Sequence, residues 1–260
     1  MTLPAVPDLF YWSEQAWGAA LHCRALDPIA PHLFTTRQLQ LSSDDDWRAV
    51  AGAVGAGQVL DVTQVHGREV VVHLQGAALP PPRPEADVLV SNDPAVAIAV
   101  RAADCVPLLL ADPDTGAVAA VHAGWRGTAA GAARAAVETM TREFGTNPGH
   151  LIAVIGPSIG ACCYEVGSEL VDAFAAAGHA RHLIDRWFVA PPPPRGSRER
   201  ARLRLDVAGA NRDQLILAGV PEERIYLSGL CTAMHLDVLT SFRAEREKAG
   251  RIAGVIRARG

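Results

Sequence analysis

The chain reads as a layered α/β (α+β) domain in which mixed β-sheets are flanked by helices, and three observations predict it. Short apolar runs recur through its middle and are punctuated by Asn-Asp-Pro and Asp-Pro-Asp turns, as the strands of a sheet are. An alanine-rich stretch and two capped stretches behind them have helical character, and strands mixed with helices favour packed layers. Finally, 260 residues with 49% hydrophobic content suffice for a substantial core, so residues 1–260 are expected to form one domain.

Composition narrows the function classes. With 24 basic and 28 acidic residues the formal charge is −4, too mild for a general nucleic-acid footprint. The five cysteines, Cys23, Cys105, Cys162, Cys163 and Cys231, are odd in number and contain no CxxC pair, which suits a reducing compartment better than a disulfide scaffold. The start, MTLPAVPDLFYW, lacks a basic segment followed by a long apolar core and does not read as a signal peptide. The run LIAVIGPSIGACC is short and broken by Pro157, so no bilayer span is expected. A soluble cytoplasmic protein without membrane or nucleic-acid partners is the expectation.

In chain order, residues 58–64 and 69–74 predict two short strands about a His66-Gly67-Arg68 turn. Residues 80–84, all proline except Arg83, predict a stiff extended connector. Residues 86–90, 95–101, 106–111 and 117–122 are the next strands. The turn at Asp112-Pro113-Asp114 should fold the last two into a hairpin and set Cys105 beside His122. Residues 128–143 predict a helix capped by Thr128 and ended near Gly145, with N-terminal amides that could hold an anion near His122. A buried strand at 151–155 follows, and Ser168 should cap a helix running to Ala177. Residues 179–204, with a second proline run and many arginines, predict a surface excursion. Asp206 should start a helix that Gly219 ends, and residues 225–227 a short strand leading to Cys231.

The chemistry concentrates at His66 in QVHG, Cys105 in AADCVP and His122 in VHAGWRG. Each follows or ends an apolar run, so folding could gather two imidazoles and a thiolate and leave a fourth position for water or substrate. That is the ligand set of a catalytic zinc site. The spacing also admits a Cys105 nucleophile with His122 as its base, or purely structural roles for all three. Asp104 would face away from Cys105 on a strand and reads as turn-stabilising. His73, alternating with Val72 and Leu74, reads as a partly exposed strand histidine. Arg126 could meet a phosphate or form a structural ion pair, and Trp125 could stack on a base or simply pack. The GPSIGACCYEVG stretch could line a pocket with backbone amides, but it is no Walker loop, and no GxGxxG is present. Cys162 and Cys163 cannot both face one site from a regular strand, so at most one would take part in one.

Taken together, FTTR at 34–37, QVHG, ADCVPLLLAD, HAGWRG, GPSIGACCYEVG, the CT…SFR…GR pattern and AGRIAGVI at 249–256 occur in an order that resembles the laccase-domain family. That family is also called the YfiH or polyphenol oxidase family, and its members are described as purine nucleoside phosphorylases. The resemblance implies a YfiH-like layered fold and a Zn2+ site made by His66, Cys105 and His122 in a cytoplasmic enzyme. It further implies phosphate-dependent cleavage of adenosine, inosine, guanosine and methylthioadenosine, in some members with adenosine deamination, and an association with peptidoglycan-precursor editing in bacterial ones. Arg37, Arg126 and Arg243 are the expected partners of substrate phosphate. The several His-rich centres that a copper oxidase needs are not obvious here. Two departures touch substrate range. Gln38-Leu39-Gln40 stands where family members commonly carry a Gly-Gly-Val-Ser loop after the arginine. A Ser241-Phe242-Arg243-Ala244 segment replaces the usual Ser-Tyr-Arg-Arg. A Cys-His hydrolase and a zinc-stabilised interaction module are the alternatives to the phosphorylase, and oligomeric state is left open.

Overall fold

The computed structural model describes residues 2–78, 83–190 and 202–260. Its first sheet comprises β1 (Phe10–Gln15), β2 (Gly18–Cys23), β3 (His32–Thr35), β4 (Gln58–Leu60), β7 (Val96–Ala102) and β15 (Ile252–Arg257), in the order β1-β2-β3-β15-β7-β4. Its second comprises β5 (Val70–His73), β6 (Val88–Ser91), β8 (Val106–Ala111), β9 (Val118–Ala123), β10 (Ile152–Ile155) and β14 (Ile225–Leu227), in the order β14-β10-β8-β9-β6-β5. Both sheets are mixed. β4 runs parallel to β7, β5 to β6 and β14 to β10, whereas the remaining neighbours are antiparallel. A small third sheet joins β11 (Glu165–Val166), β12 (Phe188–Val189) and β13 (Leu203–Leu205) in the order β11-β13-β12.

Side-chain alternation along the strands assigns the layers. Ile98 and Val100 of the first sheet meet Leu89, Leu109 and Ala120 of the second in a shared core. Their neighbours Ala97 and Ala99 face the other way and pack under Val50 of α1 (Asp44–Ala53) and Val54 just after it. On the far face of the second sheet, Val88, Val90, Leu108 and Leu110 meet α3 (Ala132–Phe144), α4 (Glu169–Ala176), α5 (Arg181–Trp187) and α6 (Val207–Leu217) through Met140, Phe174, Trp187 and Leu215. Helix, sheet, sheet and helices therefore stack in succession. Strands covered on both faces read as near-continuous apolar runs, which is why β8, VPLLLA, is buried at every position.

Several expectations are corrected. The strand expected at 58–64 stops at Leu60, and β4 and β5 enter different sheets. Thr128 does not cap a helix but lies buried inside the short α2 (Trp125–Ala130), where its hydroxyl accepts from Asn211 of α6. The expected single helix is broken at Gly131, whose φ of 85° ends α2 and begins α3. His73 is buried rather than partly exposed, because its Nε2 meets the Asp93 carboxylate at 3.3 Å. Within 179–204, α5, β12 and part of β13 are built into the fold, and Leu183, Ile184 and Trp187 are core residues. The second proline run, at 191–194, and residues 80–82 of the expected connector lie outside the described residues.

Candidate metal centre

The β8–β9 hairpin forms as expected, and its closing turn is held by one side chain. Buried Asp112 accepts from the Asp114 amide at 2.9 Å and the Thr115 hydroxyl at 2.7 Å. The resulting register pairs Val106 with Ala123 and Pro107 with His122. Cys105, in the bend just before β8, thus comes alongside His122 near the end of β9.

His66 arrives from a separate loop, and Asp87 brings it in. Asp87 is fully buried immediately before β6. Its Oδ1 accepts from the His66 amide at 3.0 Å and from His122 Nδ1 at 2.7 Å, while its Oδ2 accepts from the Gly67 amide at 2.6 Å. One carboxylate therefore fixes the His66 bend, where φ is 63°, and the orientation of the His122 ring. With Nδ1 engaged, His122 keeps Nε2 as its free donor atom, the arrangement that carboxylates impose on metal-binding histidines.

One ligand atom each from His66, Cys105 and His122 lies within 4.8 Å of the others. The rings of His66 and His122 meet edge to face, with centroids 4.9 Å apart. Gly124 keeps the space clear: a Cβ there would stand 2.7 Å from Cys105 Sγ and 3.2 Å from His66 Cδ2. His122 is buried, Cys105 half-buried and His66 exposed, so the cluster opens to solvent on one side.

Against burial, Asp87 and Cys105 hold a proton on His122 that a metal ion would displace. Burial opposes ionisation of Cys105, yet the imidazoles of His122 and His66 beside it bring the thiol down to about 6. Burial likewise opposes the charged form of His122, but Asp87 and Cys105 raise it to about 9. A thiol this close to its ionised form, two imidazoles and a carboxylate behind one of them make a donor set that fits a borderline-soft divalent ion, with room for a further ligand from the open side.

Around this cluster the expected arginines divide. The Arg126 guanidinium lies 4.9 Å over the Trp125 ring and that of Arg243 5.0 Å over the Tyr164 ring. Tyr164 is held up to about 12 by burial and the nearby Cys105, against the opposing charges of Arg243 and Arg126. Arg37 is already engaged: it pairs with Glu245 at 2.9 Å and donates to the Leu236 carbonyl. Asp104 serves its turn, where φ is 91°, and turns its carboxylate away to accept from the Thr232 hydroxyl and the Arg243 amide, each at 2.6 Å. Cys162 and Cys163 lie in a turn rather than on a strand, so both sulfurs, with that of Cys231, share one point within 4.8 Å of one another. The limit of one participating cysteine is therefore corrected.

Sequence reasoning passed over Asp87 and Tyr164. A single carboxylate at the head of an apolar strand was the available signal for the first. Tyr164 lies within the GPSIGACCYEVG stretch expected to line a pocket through backbone amides, but its ring meets Arg243, 79 positions on, a pairing no local pattern carries.

Fold and cluster together define a class: a layered α/β protein with a solvent-open His-Cys-His group able to hold a metal ion. The chain belongs to the family described as multi-copper polyphenol oxidoreductase laccase, whose model matches residues 36–259. It is 36% identical over 253 residues to a purine nucleoside phosphorylase of Deinococcus radiodurans, covering 90% of this chain and 91% of that one. It is 38% identical over 166 residues to a purine nucleoside phosphorylase of Bacteroides thetaiotaomicron, covering 64% of this chain but only 58% of that protein. The crystal structure of the Bacillus licheniformis hypothetical protein YfiH resembles it with a TM-score of 0.80 at 26% identity, over 92% of this chain and 96% of that one.

Proposed function

We propose that this protein is a zinc-dependent purine nucleoside phosphorylase that splits adenosine, inosine, guanosine and methylthioadenosine with inorganic phosphate. The observation that carries this reading is the convergence of His66, Cys105 and His122 behind the Asp87 carboxylate, in a chain similar along most of its length to proteins bearing that name. His66 Nδ1 or Nε2, Cys105 Sγ and His122 Nε2 would hold the zinc. When bound, the ion supplies Lewis-acid polarisation of an oxygen at the open side of the cluster.

The protein's own residues do the rest. Arg126 and Arg243 flank Tyr164 and would neutralise phosphate by charge-assisted hydrogen bonds, orienting one oxygen toward the anomeric carbon. As the phosphate oxygen–carbon bond forms, the glycosidic carbon–nitrogen bond breaks and its electron pair passes to the purine, which takes up a proton. Tyr164, held as a neutral phenol, remains available as a hydrogen-bond donor beside the reacting groups. Arg37, tied to Glu245, acts on the pocket by holding the C-terminal segment that carries Arg243.

Each nucleoside should be incubated with and without phosphate, using wild type and His66→Ala. Ribose 1-phosphate, or 5-methylthioribose 1-phosphate from methylthioadenosine, should appear only with phosphate and only with the wild type; the absence of both sugar phosphates across the panel would remove the phosphorylase reading. Inosine formed from adenosine without phosphate would extend the reading to deamination. A second reading rests on the lowered Cys105 thiol beside His122, which also suits a cysteine nucleophile. An adduct trapped at Cys105 during turnover by metal-free protein would favour it.

A further inference from the structure

Three sulfurs meet at a second place, separate from His66, Cys105 and His122. The 158–164 segment folds back so that the Cys163 and Tyr164 amides both donate to the Gly160 carbonyl, at 2.9 and 3.0 Å. The Cys231 segment is fixed against it by a parallel bridge between Ser158 and Cys231, in which the Ser158 amide donates to Leu230 and the Thr232 amide to Ser158. This backbone framework places Cys162 Sγ 3.6 Å from Cys163 Sγ and brings all three sulfurs within 4.8 Å of one another.

Gly160 sits at the edge of the group in two capacities. Its amide donates to Cys231 Sγ at 3.3 Å and so fixes that sulfur's position. A Cβ at this position would lie 3.2 Å from Cys162 Sγ and 3.6 Å from Cys231 Sγ, so the glycine leaves the approach to both sulfurs free. Accessibility is graded from buried Cys231 through half-buried Cys163 to exposed Cys162. Core packing accounts for Cys231 but not for a solvent-facing cysteine. A disulfide between any two would leave the third sulfur unused, and one between adjacent residues would close a strained ring.

We propose that Cys162, Cys163 and Cys231 form a second metal site, made only of sulfur, that takes one thiophilic d10 ion of the zinc(II) or copper(I) kind. Three soft donors converging from a preformed turn and a bridged segment select such ions over hard ones. Each ligating thiol gives up its proton to solvent, so loading is a ligand exchange that needs no oxidant. The ion ties the turn that ends in Tyr164 to the segment that begins at Thr232, whose hydroxyl holds Asp104 beside Cys105. The second site thereby positions Tyr164 against the first.

The test uses the full chain, reduced and metal-free, titrated in separate arms with Zn2+ and, without oxygen, with Cu+ against a chromophoric chelator. Wild type should take up two equivalents of at least one of these ions. Cys105→Ala should keep one equivalent, which the added pair Cys162→Ser and Cys163→Ser should abolish. The pair alone should keep the equivalent that depends on Cys105. Loading of Cys105→Ala should also slow alkylation of Cys162 at least tenfold. Because Cys162 is exposed, Cys162→Ser alone separates ligand loss from misfolding and should weaken the second site at unchanged thermal stability of the metal-free chain. The proposal is overturned if folded Cys105→Ala binds neither ion, if its equivalent survives the paired substitution, or if mass spectrometry finds a disulfide among the three sulfurs in the freshly isolated protein. Failure of the first site instead appears as a Cys105→Ala variant whose metal content equals that of wild type.

Discussion

Asp87 shows how much one buried carboxylate can organise. Its two oxygens take up the amides of His66 and Gly67 and the Nδ1 proton of His122, so loop, strand end and ligand orientation depend on one residue. Burial opposes its ionisation, but these donors still hold its carboxyl below the ordinary range. Asp87→Asn should therefore weaken metal binding about 10–100-fold with all three ligands intact, as read by competition with a chelator. Unchanged affinity would show that His122 needs no partner. His32 makes a separate prediction. Burial, its largest influence, pushes this imidazole down to about 4, while it accepts from the Cys23 amide and donates to the Ala30 carbonyl. On acidification the unfolded chain takes up the proton first, near the ordinary histidine value of about 6.5. The stability that neutral His32 provides is present above about 6.5 and is lost between there and about 4, at a cost of order 3 kcal/mol. His32→Gln should flatten that limb of a denaturant-derived stability profile.

At the scale of elements, local signals served where burial and turn chemistry coincide. β14 spans the expected residues, and β8 and β9 follow from two apolar runs around an aspartate-rich turn. That hairpin made the Cys105–His122 pair legible. The meeting of His66 with it was expected from ligand chemistry and the ordered motifs, but its cause was not legible, because it depends on Asp87, which lies 21 residues beyond His66 and is spent on backbone amides rather than on a local motif. β1, β2, β3 and β15 escaped for another reason: β15 pairs with β3 and β7 across most of the chain, and no local pattern carries that pairing. The α2–α3 break escaped because alanine propensity predicts helix straight through Gly131. Its φ of 85° is costly for any side chain, so Gly131→Ala should lower stability by about 1–2 kcal/mol. Gly52, inside α1 with nothing within 4 Å of an added Cβ, should respond oppositely, and Gly52→Ala should raise stability by about 0.5–1 kcal/mol. Thermal melts of the two variants should move in opposite directions.

For the whole molecule, connectivity interlocks the layers. The last strand, β15, lies between β3 and β7 inside the first sheet, and β14 completes the second beside β10 only after the chain has passed through α4, α5 and α6. Neither sheet can close until distant parts of the chain arrive. We therefore propose that residues 1–260 unfold as one unit, giving a single calorimetric transition whose van't Hoff and calorimetric enthalpies agree; two resolved transitions would contradict this. Among the described residues no helix is long and apolar enough to cross a membrane. The two stacked sheets serve the site by holding the Cys105–His122 hairpin between core layers, while the His66 loop, the turn of Tyr164 and the short helix of Arg243 (Phe242–Glu245) come in around it.

The most direct test measures zinc content and ribose 1-phosphate formation from inosine on the same preparations: isolated protein, protein stripped by a chelator, stripped protein given zinc again, and His66→Ala. Phosphate-dependent product should disappear on stripping, return with zinc, and stay absent from His66→Ala. Full turnover by the stripped protein, or no ribose 1-phosphate from any purine nucleoside by the zinc-loaded one, would contradict the account.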